Sequence, residues 1–313
     1  MFVTQLSQLN INILYEEEKA MKRHVRNLAL MVSVLSFAVT TLFAQEMIQV
    51  KGSDTLINLV QRLAETYMEK KPEKVVAVTG GGSGTGIAAL INRKCDIANA
   101  SRLMKDKEIA QAQESGVNPK RIVVAIDGLC VITNIKNRVN KLTVDEVGKI
   151  FRGEVTNWKE LGGDDISITL YGRQSNSGTY EFLRDVALKG DYSPQMRRMN
   201  GNAQIVEAVK QDISGIGYVG VGYVKNENGI NVVNIATRAG TEYVSPLDLN
   251  DVKSGKYPIT RPLNQYIDGV PKGDTLDFIL FELSEEGQKV VEEEGFFSLP
   301  DEYREFNNRS LGR

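Results

Sequence analysis

Histidine is nearly absent from these 313 residues: His24 is the only one, and it lies ahead of the apolar run that ends at Phe43. A chain trimmed of that segment holds no imidazole. This excludes Ser-His-Asp and Cys-His nucleophilic arrangements and any His-ligated metal, and no other motif asks for a metal or a cofactor. Cysteine is scarce as well. Cys95 and Cys130 lie in or beside apolar stretches and are expected as buried free thiols rather than a disulfide. An excess of positive charge is also missing. The 38 Lys and Arg against 40 Asp and Glu give a net charge of −2. No basic cluster alternates with aromatic residues, so nucleic acid is not an expected partner.

Long hydrophobic runs are missing too, with one exception near the start. Lys22, Arg23 and Arg26 precede the apolar stretch Leu28 to Phe43, and Leu42-Phe43-Ala44 offers a cleavage point before Gln45. This is the form of a signal peptide, with residues before Met21 as an upstream start. The stretch is short for a bilayer span and Gln45-Glu46 follow at once. Residues 1–44 are therefore set apart, and the remainder is expected to be an exported, soluble, periplasmic protein without a lipid anchor.

What the sequence does hold is one local pattern, repeated. Ile166, Ile168 and Leu170 alternate like a strand, Phe182, Leu183, Val186 and Ala187 recur like a helix, and Arg173-Gln174-Ser175-Asn176-Ser177-Gly178-Thr179 joins them. Ser177, Gly178 and Thr179 then fall at a helix start, where free N–H groups and hydroxyls suit an anion, within reach of the planar fork of Arg173. Taken alone, the turn has a bland alternative, since Ser and Thr at helix starts are commonly plain N-caps. The same strand, small-hydroxyl turn and helix recurs at Gly52-Ser53-Asp54-Thr55 after Ile48 and Val50. It recurs again at Gly80 to Gly86, with Ser83, after Val75, Val76 and Val78. Ser101-Arg102 ends a further strand, Ile97 to Ala100. Such turns converge at the carboxyl ends of strands in an open α/β sheet, and all of them suit a tetrahedral oxyanion.

The order strand, helix, strand, helix from Met47 to Glu114 implies parallel pairing with crossover helices. The apolar run Arg121 to Thr133, broken by Asp127-Gly128, is expected to leave one domain for another, and Tyr257 to Tyr266 to return. The second sheet is expected at Ile166 to Tyr171, Ile216 to Val219 and Ile230 to Ile235, and the C-terminal helices at Thr275 to Glu294. The fold class is α/β, two-lobed, with two mixed, mostly parallel sheets joined by a two-stranded hinge. Lobe I comprises 45–133 and 257–313, and lobe II comprises 134–256.

These turns, with Asp96-Ile97-Ala98-Asn99-Ala100-Ser101-Arg102, Phe151-Arg152-Gly153-Glu154-Val155-Thr156-Asn157-Trp158, Gly215-Ile216-Gly217-Tyr218 and Glu286 to Val291, follow one another in a family's order. The chain resembles the periplasmic phosphate-binding proteins that feed ABC-type phosphate importers, of the type II periplasmic-binding-protein fold. The resemblance implies inorganic phosphate as ligand, an inner-membrane ABC permease as partner, a monomer closing like a hinge, and no turnover. It implies Thr55, Ser83 and Ser101 as ligands of the first lobe, with Ser53 and Arg102 beside them, and Arg173, Ser177, Gly178 and Thr179 as ligands of the second.

Arg102 is a departure, because some members place there an aspartate that accepts the proton of hydrogen phosphate. A site that prefers phosphate to sulfate needs such an acceptor. Asp127, in an apolar run at the crossing, is the expected one, paired with Arg102 or Arg173, and Asp54 is the alternative. Two other readings are a binder of another oxyanion such as sulfate and, through Gly84-Thr85-Gly86-Ile87-Ala88-Ala89, a nucleotide-dependent enzyme. The glycine run lacks the Lys-Ser/Thr of a P-loop.

Overall fold

The alternation in Met47-Ile48-Gln49-Val50 makes a strand, β1 (Met47–Gly52), whose Ile48 and Val50 are buried. It sits between β2 (Val75–Thr79) and β3 (Ile97–Ala100) and is parallel to both. The crossover helices are α1 (Ile57–Lys70) and α2 (Ser83–Ile91). Helix α1 turns Leu59, Val60, Leu63 and Tyr67 inward at helical spacing. After α3 (Asp106–Glu114) the sheet is completed by β4 (Pro119–Gly128) and by a strand from far along the chain, β12 (Thr260–Asp268). The order is β2-β1-β3-β12-β4, with β12 antiparallel to both neighbours.

The second sheet comprises β5 (Cys130–Asn134), β7 (Thr169–Arg173), β8 (Arg197–Met199), β9 (Gly215–Val219) and β10 (Ile230–Val232), ordered β10-β5-β9-β7-β8. Here too half the pairings are parallel: β7 with β8 and with β9. A two-stranded parallel piece, β6 (Lys141–Thr143) with β11 (Asn234–Ala236), stands apart. The expected single strand Ile230 to Ile235 therefore breaks at Val233 and serves two sheets.

Between them run α4 (Val144–Arg152), α5 (Gly178–Leu183) with a π-helical turn at Arg184–Leu188, and α6 (Asn202–Gln211). Helix α4 begins with the capping box foreseen at Thr143 and Glu146. A short helix, α7 (Leu249–Lys253), precedes the return.

Sheet membership changes at Leu129, inside the run Arg121 to Thr133 and directly after the Asp127-Gly128 break at which the crossing was expected. The two crossing segments are bonded to each other: Leu129 N–H donates to Ile259 O at 2.9 Å, and Tyr257 OH donates to Leu129 O at 2.6 Å. Helices α8 (Gly273–Leu283) and α9 (Glu285–Glu293) follow the return, as expected. The sequence reading missed α10 (Asp301–Ser310), a mostly polar helix that packs Tyr303 and Phe306 against the core. Buried Asn307 accepts from Val123 N and donates to Val123 O, covering the open edge of β4.

The computed structural model describes Lys19, Met21–Arg23, residues 47–225 and residues 227–313. Within Met1–Glu46 those few residues are helical and exposed, and the expected signal peptide and cleavage point lie outside the described residues. Among the described residues no helix is long and apolar enough to cross a membrane. Cys95 and Cys130 are buried free thiols.

Candidate anion-binding site

Strands β1, β2 and β3 are neighbours and parallel, so the turns leaving their carboxyl ends meet. Ser53 N–H donates to Asn99 O at 2.8 Å, and Gly82 N–H to Gly52 O at 2.9 Å. These bonds put three side chains together. Ser53 Oγ donates to Ser101 Oγ at 3.0 Å, Ser83 Oγ lies 3.3 Å from Ser101 Oγ, and Ser101 N–H donates to Ser83 Oγ at 3.0 Å. From the second sheet, Thr179 Oγ1 lies 2.8 Å from Thr55 Oγ1 and 3.3 Å from Ser101 Oγ. Ser53, Thr55, Ser83, Ser101 and Thr179 thus form one hydroxyl cluster, and none of the five is more than 3% exposed.

Glycine permits this approach. A Cβ on Gly178 would lie 2.4 Å from Ser83 Oγ and 2.8 Å from Ser101 Oγ. Gly82 has φ of +96°, and a Cβ there would lie 2.8 Å from Asn176 O. Asn176 stitches the glycine turn from the opposite side. Its O accepts from Gly84 N–H at 3.0 Å, and its Nδ2 donates to Gly81 O at 2.8 Å and Thr85 Oγ1 at 3.2 Å. Ser177 is the N-cap of α5, accepting from Thr179 and Tyr180 N–H, so its oxygen serves the helix rather than the cluster.

Two buried arginines flank the hydroxyls, each held by an aspartate. Arg173 donates through Nη1 to Asp54 Oδ1 at 3.1 Å and through Nη2 to Asn200 O at 2.9 Å, and its N–H reaches Tyr218 OH at 3.0 Å. Its Nε is buried with no acceptor among the described residues. Asp54 Oδ1 also accepts from Asn202 N at 2.8 Å and Nδ2 at 2.6 Å, and Asp54 O accepts from Tyr223 OH at 2.6 Å. Burial, reinforced by the Asp54 charge, pushes the Tyr223 phenol far above its ordinary value and keeps it a donor.

The second arginine, Arg261 on β12, is one the sequence reading missed. Its Nε and Nη2 grip Asp127 Oδ2 at 2.9 and 2.7 Å, Nη1 donates to Ser101 O at 3.0 Å, and Nη2 also reaches Thr179 Oγ1 at 3.0 Å. Asp127 Oδ1 accepts from Val221 N–H at 2.9 Å. Asp127 is therefore paired with Arg261, not with Arg102 or Arg173, because Arg261 stands directly opposite it in the β4–β12 register. The available signal was an arginine in a strand-like stretch, Thr260 to Asp268, next to Pro262. Such a charge needs a partner.

The structure does not bring the Arg102 guanidinium to the hydroxyls. It forms a fork with Glu108, at 2.7 Å on both sides, and lies 3.3 Å from Glu181 of α5. Lys105 joins Glu181 at 2.6 Å. Two carboxylates within reach outcompete a cluster of neutral hydroxyls for this cation. Among the described residues no group of three or more His, Cys, Asp or Glu is placed to hold a metal.

Comparison with known proteins agrees with this architecture. Residues 38–286 match the family model for a PBP superfamily domain. The phosphate-binding protein PstS of Pseudomonas aeruginosa is 34% identical over 279 residues, 83% of this chain and 85% of the relative. PstS of Borreliella burgdorferi is 30% identical, with 82% and 91% covered. Among solved structures, a Clostridium perfringens ABC transporter substrate-binding protein with bound phosphate superposes with a TM-score of 0.72 at 27% identity, covering 82% of this chain and all of that one. An ABC-type phosphate transport receptor from Vibrio cholerae gives 0.64 at 27% identity, over 81% of this chain and 100% of its own. Strand order, converging hydroxyl turns and these matches over four fifths of the chain agree, and the chain belongs to the PstS phosphate-binding proteins of the PBP superfamily.

Proposed function

We propose that this chain captures inorganic phosphate in the hydroxyl cluster between its two lobes and delivers it to an ABC-type permease, as an extracytoplasmic monomer with no turnover. The observation that carries the reading is the cluster itself. Five buried hydroxyls from both sheets meet, and Arg173, bonded to Asp54 next to Thr55, has a buried Nε without an acceptor among the described residues. Ser53, Thr55, Ser83, Ser101, Arg173, Gly178 and Thr179 line the ligand, and Ser177 holds the helix that presents Thr179. Lobe I, 45–133 with 257–313, and lobe II, 134–256, part and close about the paired crossing strands. Each charge-assisted bond to the anion contributes about 1.5–3 kcal/mol net.

One observation favours a second reading, a fully deprotonated oxyanion such as sulfate: Asp54 and Asp127 are both engaged by arginines, and neither contacts the hydroxyl cluster. Calorimetric titration of the mature protein with phosphate, arsenate and sulfate decides between them. Tight binding of phosphate and arsenate with weak sulfate supports the first reading, and sulfate binding as tight as phosphate supports the second. No heat with any of the three overturns both.

A further inference from the structure

The geometry assigns to Arg261 the role of a positioning residue of the anion site, one that fixes the Thr179 hydroxyl as a hydrogen-bond donor and ties both lobes to the crossing strands. This rests on the phosphate reading above. Asp127 then serves to orient Arg261 and does not face the ligand.

Arg261 and Asp127 are register partners on β12 and β4, the strands that carry the chain out of and back into the first sheet. Both are almost wholly buried, at 3% and 0% exposure. Three donors occupy the carboxylate, two from Arg261 and one from Val221. That leaves the guanidinium with a fixed plane, and two further N–H groups, one on Nη1 and one on Nη2, point to Ser101 O and Thr179 Oγ1. Ser101 belongs to the first lobe and Thr179 to the second. Arg261 thus holds one residue of each from a position on the hinge itself. The ring of Phe182, one turn beyond Thr179, lies 5.0 Å from the guanidinium carbon and closes its other side.

The consequence for the hydroxyl follows from donor and acceptor counting. A hydroxyl has one hydrogen and two lone pairs. Once Thr179 Oγ1 accepts from a guanidinium, its hydrogen must turn elsewhere, and its other near neighbours are the hydroxyls of Thr55 and Ser101 in the cluster. Ser83 Oγ is set the same way by Ser101 N–H. Both hydroxyls then offer hydrogens to an anion without first having to rotate, which is preorganisation for a ligand that only accepts there. Lysine cannot reproduce this, because one ammonium cannot serve Asp127, Ser101 O and Thr179 together with a fixed plane.

The test is a double-mutant cycle on phosphate affinity, with Arg261→Lys and Thr179→Val made singly and together. Arg261→Lys should bind phosphate about tenfold to a hundredfold more weakly with the circular dichroism of the parent. In the Thr179→Val background it should lose markedly less, since the hydroxyl it orients is gone. Phe182→Leu, which only loosens the guanidinium, should weaken binding by about twofold to fivefold and takes the place of Arg261→Lys in the cycle if that variant does not fold. Unchanged affinity in the single variant, or losses that simply add, would overturn the positioning role while leaving the phosphate reading in place. Failure of the parent itself to bind phosphate would remove the reading on which the role rests.

Discussion

The Asp54–Arg173 and Asp127–Arg261 pairs look alike as contacts: each is an aspartate holding a buried guanidinium beside the hydroxyl cluster. They differ in what the rest of the chain does to them. Asp54 lies just after β1 and Arg173 at the end of β7, so their contact spans the two sheets and exists only while the sheets face each other. Asp127 and Arg261 are opposite one another in a ladder of backbone bonds within one sheet. On the proposed hinge closure, the first pair is a contact that closure makes, and the second is a fixture about which closure happens. Among the described residues Arg173 Nε is buried without an acceptor, whereas each guanidinium nitrogen of Arg261 makes at least one hydrogen bond. A ligand therefore has a buried unpaired nitrogen to gain on the Arg173 side, and on the other a guanidinium already bonded through all three of its nitrogens.

Removing Arg173 breaks the comparison most severely. Arg173→Ala deletes a buried cation that contacts Asp54 and Asn200 and supplies the free donor. Phosphate binding should weaken by at least about tenfold, which is about 1.4 kcal/mol, with the fold retained. Titration by calorimetry reads it, and an unchanged affinity would take the proposed site away from this arginine altogether.

Asp54→Asn is the milder blow to the same pair. The amide keeps the size of the carboxylate but gives up the charge that holds Arg173, and it places an N–H near the backbone and side-chain donors of Asn202. We expect a loss of about threefold to tenfold, together with a larger radius of gyration at subsaturating phosphate. Scattering profiles identical to those of the parent would mean that this contact accompanies closure without favouring it.

The turns carrying Ser53, Thr55, Ser83, Ser101 and Thr179 were legible in the sequence because each is local: a strand, a small residue and a helix within a few positions. Parallel pairing then forces those turns to one end of the sheet, and no long-range information is needed. Arg261 was illegible for the opposite reason. Its role depends on register between β12 and β4, 134 residues apart in its bond with Asp127, and a charged residue in an isolated strand pattern does not name its partner. The sequence named Arg102 or Arg173 as the partner of Asp127, and only the register between β4 and β12 identifies Arg261. Strands β6 and β8, three residues each, are too short to show a period, β10 and β11 were read as one strand, and the polar face of α10 hides that Asn307 anchors it.

Arg102 adds a third kind of buried cation, paired within its own lobe to Glu108 and across the lobes to Glu181. Glu181→Gln removes the across-lobe half, along with the Lys105 contact, while the fork to Glu108 remains. Because Arg102 stays paired, the expected loss of phosphate affinity is small, about twofold to fivefold, and sensitive to ionic strength where Lys105 is half exposed. A loss as great as that of Arg173→Ala would place Arg102 or Glu181 among the groups that touch the anion, contrary to their observed partners.

The smallest expected effect on binding is none, and it sharpens the comparison from the other direction. Glu282 is as buried as Asp127, in the same lobe, but has no cation. Its Oε1 accepts from Gln265 Nε2 at 3.0 Å, and its Oε2 has no partner among the described residues. Burial, only partly offset by that amide bond, raises its carboxyl from the ordinary 4.5 to about 8. The folded protein therefore keeps a proton that the unfolded chain releases, so stability is fullest below about pH 4.5 and is lost progressively as the pH rises toward about 8. With roughly 1.4 kcal/mol for each unit of pKa difference, the loss from this one group is on the order of a few kcal/mol. Glu282→Gln carries the uncharged shape at every pH and accepts from Gln265 in the same way. Its urea midpoint should exceed that of the parent by an amount that grows between about pH 5 and pH 8, while phosphate affinity at a fixed pH stays within about twofold. Parallel stability profiles for the two proteins would show that Glu282 is ionised and solvated in the folded state. A large change in affinity would show that this buried carboxylate, unlike one held by an arginine, reaches the site through the strand it packs against.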